Sequence, residues 1–156
     1  MTATASLEVG QIAPDFRLRG PGGQIVSLSD YRGKKHVVVV FFPLAFSPVC
    51  SHQLPEIEKE MRRFEALGAA VLGVSVDNHY ANEAFSRSLR LSFPLLSDFD
   101  HATSRAWGVL IPEKRYSGRG LFVVDRQGRL AYRDVAPTPD EIPGNAGVLA
   151  ALEHLV

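Results

Sequence analysis

The sequence predicts an α/β protein with a mixed central sheet, helices on both faces and an N-terminal β-hairpin. Three observations carry that prediction. Residues 36–42, His-Val-Val-Val-Val-Phe-Phe, form an apolar run without alternation, as in a strand covered on both faces. After it, Leu54, Ile57, Met61, Phe64 and Leu67 recur at the three- and four-residue intervals of a helix. Strand-like and helix-like segments then alternate, which favours one sheet between helical layers.

Taken in order, residues 16–18 and 24–27 flank Gly20-Pro-Gly-Gly23 and predict the hairpin. Pro14 fixes its own φ and turns Ala13 away from helix, so the lead-in is irregular. Residues 29–32 read as a short capped turn, and residues 36–42 as the central strand. A helix is expected from Ser47, with Ser47 as N-cap and Pro48 as the first helical residue. Pro55 predicts a kink or break in its second or third turn, and Gly68 ends it. Residues 69–76 predict a second apolar strand, 82–90 a helix, 93–97 a short strand and 101–107 a short helix. Residues 120–125 and 130–134, joined through Gly128, predict a second hairpin, and residues 145–155 the last helix. The Pro- and Gly-containing stretch 137–147 reads as a loop.

A chain of 156 residues suits one domain, assigned here to residues 7–156. Lys plus Arg equals Asp plus Glu at 17 each, so no charge excess points to nucleic acid or to an anionic membrane. The longest apolar run is too short to span a bilayer, and the first ten residues lack the pattern of a signal peptide, so a cytoplasmic protein is expected. No Gly-rich phosphate loop follows a strand. His36, His79, His101 and His154 show no metal-ligand spacing with one another or with Cys50, so neither a metal nor a cofactor is expected. Asp77 and Asp98, at strand ends, are expected as caps rather than catalysts.

Cys50 is the single cysteine, so any disulfide it forms joins another molecule. It follows the apolar strand closely and falls in the first turn of the expected helix. There the amide N–H groups lack intrahelical acceptors and the helix dipole is positive, which stabilises a thiolate and lowers the thiol's pKa. Attack by that thiolate on a peroxide puts negative charge on the departing oxygen, so donors aimed at the oxygens lower the barrier. Ser47 lies three residues earlier, one helical turn away, and its hydroxyl can serve the same face. His52, two residues on, points elsewhere and is expected in solvent. Gln53 is expected to be a structural hydrogen-bonding residue. Phe42, Phe46, Phe93 and Trp107 are expected either as core or as apolar surroundings of the pocket or of a dimer contact.

The spacing Pro43-x-x-x-Ser47-x-x-Cys50 resembles the signature of the peroxiredoxins. The stretches Ala13-Pro-Asp-Phe16, Phe93-Pro-Leu-Leu-Ser-Asp98 with Trp107-Gly-Val109, and Arg119-Gly-Leu-Phe-Val-Val-Asp125 are similar to that family in order and spacing. The resemblance covers the chain from about Leu7 onward and implies a thioredoxin-like fold. It implies that Cys50 is the peroxidatic cysteine and that Ser47 orients the peroxide. Pro43 would shield the thiolate from solvent, and the Arg119 guanidinium would stabilise thiolate and transition state. Serine stands where threonine is commoner, position 53 is Gln where many members have Glu, and no second cysteine is present. The whole is most similar to one-cysteine, AhpE-type enzymes, with the PrxQ-like group as near alternative.

The implied reaction reduces hydrogen peroxide or organic hydroperoxides through a Cys50 sulfenic acid. An external thiol, whether thioredoxin, a glutaredoxin-like protein or a low-molecular-weight thiol, would then resolve it. The family also implies a homodimer. The competing reading is a thiol-based redox sensor or partner-binding protein of the same fold, with slow turnover.

Overall fold

The computed structural model describes residues 7–48 and 50–155, apart from the side chains of Cys50 and Ser51. The expected hairpin is present: β1 (Arg17–Arg19) pairs antiparallel with β2 (Ile25–Ser27), with Leu18 opposite Val26. A 3-10 turn over Leu28–Tyr31 follows, tied by the Ser27 amide donating to Asp30 Oδ2 at 3.0 Å. The long apolar run becomes β3 (His36–Phe41), every residue of which is buried.

Helix α1 (Cys50–Lys59) follows, with Ser47 and Pro48 just before it. Pro55 is accommodated inside α1. The break falls instead at Glu60, whose φ of −100° and ψ of 5° leave the helical region. The Glu60 amide bonds the Ile57 carbonyl in a tightened three-residue step, and α2 (Met61–Ala66) starts again from there. Gly68 follows with φ +76°, the left-handed stop that a glycine supplies.

The second apolar strand is β4 (Ala69–Ser75). Helix α3 (His79–Leu89) starts three residues before the expected 82 because Asn78 caps it, its Oδ1 accepting from the Ala81 amide at 2.8 Å. Then come β5 (Leu95–Ser97) and α4 (Ala102–Ala106). A small hairpin, β6 (Leu110–Ile111) with β7 (Tyr116–Ser117), was not anticipated. The chain closes with β8 (Gly120–Val124), β9 (Leu130–Val135) and α5 (Ala146–Leu155).

Seven strands form one mixed sheet in the order β2-β1-β5-β4-β3-β8-β9. The middle strand is therefore β4 rather than β3, which lies next to it between β4 and β8. Alternation along β3 feeds two cores. Val38, Val40 and Phe42 pack with Leu54, Ile57 and Phe64 of α1 and α2, Phe85 of α3 and Leu152 of α5. Val37, Val39 and Phe41 pack with Phe16, Leu28, Trp107 and Phe122 on the other face. Among the described residues, α1, α2, α3 and α5 feed the first core, whereas Trp107, just after α4, and the N-terminal segment feed the second. Among the described residues, no helix is long and apolar enough to cross a membrane.

Register decides what meets at one end of this sheet. β3 runs parallel to β4 and antiparallel to β8, and Phe41 is opposite both Val74 and Gly120. The chain leaving β3 toward Cys50, the chain leaving β4 toward Asp77 and the chain entering β8 from Arg119 therefore share one edge.

Candidate active site

The segment from Phe42 to Pro48 is the loop between β3 and α1. Phe42 is still tied to the sheet, its amide donating to the Val74 carbonyl at 3.1 Å and its carbonyl accepting from Ser117 Oγ at 3.1 Å. Pro43 is buried beyond it. The Ser47 amide donates to the Leu44 carbonyl at 3.4 Å, and Phe46 adopts φ +67°. The Ser47 backbone thus closes a turn just ahead of the helix. Cys50 is the first residue of α1, so its backbone stands in the first helical turn as expected. Its thiol lies outside the described residues.

Arg119 immediately precedes β8 and is 2% exposed. Its Nε donates to the Pro139 carbonyl, and its Nη1 donates to Gln53 Oε1 at 2.7 Å. Gln53 is itself buried, one turn along α1 from Cys50. A guanidinium in a site this dry needs fixed acceptors, and the fork geometry supplies directions for several at once.

Pro43, Ser47 and Arg119 line one cleft of about 300 Å³, together with Leu44, Pro48, Tyr116, Pro139 and Asp140. Three of the four residues singled out in the sequence are thereby brought together at the start of the helix that Cys50 begins. Tyr116, Pro139 and Asp140 were not anticipated. Tyr116 arrives on the unforeseen β6–β7 hairpin. Pro139 and Asp140 arrive on the stretch read as a plain loop, which is tied at one end by Ala136 N to Arg119 O at 2.9 Å. At the other end, Asn145 Nδ2 donates to the Glu56 carbonyl of α1 at 3.0 Å.

The aromatic residues distribute differently from the pocket reading. Phe42 and Phe93 belong to the first core, Trp107 is buried in the second, and Phe46 is 56% exposed. None of the four lines the cleft. His52 is exposed. Asp98 accepts from the amides of Thr103 and Ser104 at 3.0 and 2.6 Å and so caps α4. Asp77 does something else: its Oδ2 accepts from the Ala45 amide at 2.7 Å.

Residues 9–133 match the AhpC/TSA family. The chain belongs to that family. As a peroxiredoxin it has the thioredoxin-like fold and is a thiol-dependent peroxidase, and its single cysteine fits the one-cysteine type. Alkyl hydroperoxide reductase E of Mycobacterium tuberculosis is 40% identical over 131 residues, covering 83% of this chain and 86% of that protein. A putative peroxiredoxin of Synechocystis is 37% identical over 142 residues, covering 85% and 70%. Among solved structures, a peroxiredoxin-like protein from Aquifex aeolicus superposes with a TM-score of 0.90 at 26% identity, covering 99% of this chain and 91% of that one. Mycobacterium tuberculosis AhpC gives 0.86 at 26% identity, covering 97% and 94%.

Proposed function

We propose that this peroxiredoxin reduces hydrogen peroxide and small organic hydroperoxides at Cys50 and is recycled by an external thiol. One observation carries the reading: Ser47 and Arg119 line the same cleft at the N-terminal end of the helix whose first residue is the lone cysteine. In this account the helix start and the guanidinium favour the thiolate. The thiolate attacks the terminal peroxide oxygen, the S–O bond forms as the O–O bond breaks, and the departing oxygen takes a proton to leave as water or alcohol. Cys50 is oxidised to the sulfenic acid. The Ser47 hydroxyl accepts from the peroxide O–H and fixes its approach. Arg119 donates to the oxygens as charge moves outward, and Pro43 limits water at the sulfur.

A thiol of a second molecule then attacks the sulfenic sulfur, releasing water and leaving a mixed disulfide. A second external thiol breaks that bond and returns Cys50 to the thiolate. The cleft volume suits a small hydroperoxide. Thioredoxin, a glutaredoxin-like protein and a low-molecular-weight thiol all satisfy the same chemistry, and each is kept reduced in cytoplasm, where we place the protein. A homodimer is part of the proposal, since Phe46 and the partly exposed Leu44 leave apolar surface beside the cleft that a second copy would cover.

Intact mass after one equivalent of peroxide tests the scheme. The parent gains one oxygen atom, and adding a competent thiol converts that species to a mixed disulfide and back. The Cys50→Ser variant stays unmodified and does not turn over. Full turnover by that variant would refute the assignment.

A further inference from the structure

The turn that carries Ser47 is held against its own preference. Residues 44–47 close through the Ser47 amide and the Leu44 carbonyl, with Phe46 in the third position at φ +67°. A positive φ at the third position of such a four-residue turn is ordinarily supplied by glycine or asparagine. An aromatic residue persists there only where the surroundings over-determine it. Two contacts do so. The Phe46 ring lies on Phe85 of α3 with centroids 4.9 Å apart, and the Ala45 amide donates to Asp77 Oδ2 at 2.7 Å.

The Asp77 carboxylate is anchored outside the loop. Ser75 Oγ, fully buried at the end of β4, donates to the same Oδ2 at 2.8 Å, and the Asp77 carbonyl accepts from Ser97 Oγ of β5 at 2.6 Å. Ser75 Oγ also lies 3.0 Å from Oδ1 of the buried Asn82, whose Nδ2 donates to the Leu96 carbonyl at 3.2 Å. The grip on Ala45 thus originates in the ends of two sheet strands and the first turns of α3. Asp77 is not among the residues lining the cleft, so any effect on chemistry passes through the backbone of the turn.

We infer that Asp77 is a positioning residue for peroxide reduction: by holding the Ala45 N–H, its carboxylate fixes the strained turn that presents the Ser47 hydroxyl to the substrate. The inference rests on the reading of Cys50 and Ser47 given above. Misplacement of an aligning group by about 1 Å can cost on the order of 100-fold in rate.

The test compares Asp77→Ala with Asp77→Asn. In Asp77→Ala the Ala45 amide loses its acceptor, while the Ser75 hydroxyl can still donate to Asn82. In Asp77→Asn an amide oxygen in the place of Oδ2 can accept from both the Ala45 N–H and Ser75 Oγ, as the carboxylate does. Three readouts are taken on the full chain: the second-order rate of Cys50 oxidation by hydrogen peroxide, the rate of Cys50 alkylation by uncharged iodoacetamide, and deuterium uptake of a peptide spanning residues 42–48. Alkylation needs the thiolate but no alignment of a peroxide. Asp77→Ala should lose about 10- to 100-fold in peroxide rate, keep its alkylation rate, and take up deuterium faster in that peptide. Asp77→Asn should restore all three toward the parent. An unchanged peroxide rate in Asp77→Ala, a parallel fall in alkylation, or an Asp77→Asn variant as impaired as Asp77→Ala would each overturn the inference. If the parent itself reacts no faster than a free thiolate, the peroxidase reading of Cys50 fails. The deuterium comparison then decides the clamp alone, and unchanged uptake in Asp77→Ala overturns it.

Discussion

At Arg119 the donors of one side chain are divided between the Pro139 carbonyl and the Gln53 side chain, in a place almost closed to water. A lysine ammonium cannot reproduce that planar fork. Arg119→Lys should therefore lose about 100-fold or more in the peroxide rate of Cys50, the scale of one lost transition-state donor, and stopped-flow oxidation measures it. His36 makes a different prediction. It is buried at the start of β3 and neither ring nitrogen has a hydrogen-bond partner among the described residues. Burial, and secondarily the charge of Arg126, hold its pKa below the ordinary histidine value of 6.5. The unfolded chain then binds more protons than the folded one once pH falls below that ordinary value. Stability is therefore complete above it and is lost as pH drops toward the lowered folded pKa. His36→Val should flatten the fall in urea midpoint between neutral and mildly acidic pH. Cys50, Ser47 and Pro43 stand out as candidates in the sequence because their relation is a short spacing in one segment. Arg119 was legible only through family resemblance, since no local pattern reveals that β8 lies beside β3.

Elements were read best where one local rule dominated. The unbroken apolar run of β3, the glycine turns of both hairpins and the stop at Gly68 all appear where expected. Gly68 gives a direct check, because at φ +76° an added Cβ is strained whatever the space, and Arg126 Nη2 would lie 2.6 Å from it. The arginine end can move, so the backbone term remains, and Gly68→Ala should cost about 1–2 kcal/mol in urea unfolding. Boundaries were misplaced where two signals competed. In α3 the Asn78 cap extends the helix through His79 and Tyr80, residues of weak helical preference that hid its start. The β6–β7 hairpin is two residues per strand, too short for alternation to show.

On the scale of the molecule, the sheet separates stability from chemistry. Trp107 is fully buried on the face opposite α1, among Phe16, Phe41 and Phe122, with its Nε1 donating to the Pro14 carbonyl at 3.2 Å. Trp107→Ala should destabilise the protein by about 3–5 kcal/mol, yet leave the peroxide rate of the remaining folded molecules within a few fold, measured below the melting transition. The site lies at the other end of this logic. It is built where the carboxyl ends of β3 and β4 meet the start of β8, and the loop around Pro139 closes over it. That loop was visible only as a stretch rich in proline and glycine, because its contacts to Arg119 and Glu56 are far apart in sequence. In the proposed reaction Cys50, at the head of α1, attacks peroxide with the help of Ser47 and Arg119. The most direct measurement is the second-order rate constant for oxidation of Cys50 by hydrogen peroxide, corrected for its thiolate fraction and set beside that of a free thiolate. A value orders of magnitude higher is expected if Ser47 and Arg119 assist the attack, whereas a value equal to that of the free thiolate would mean that they do not.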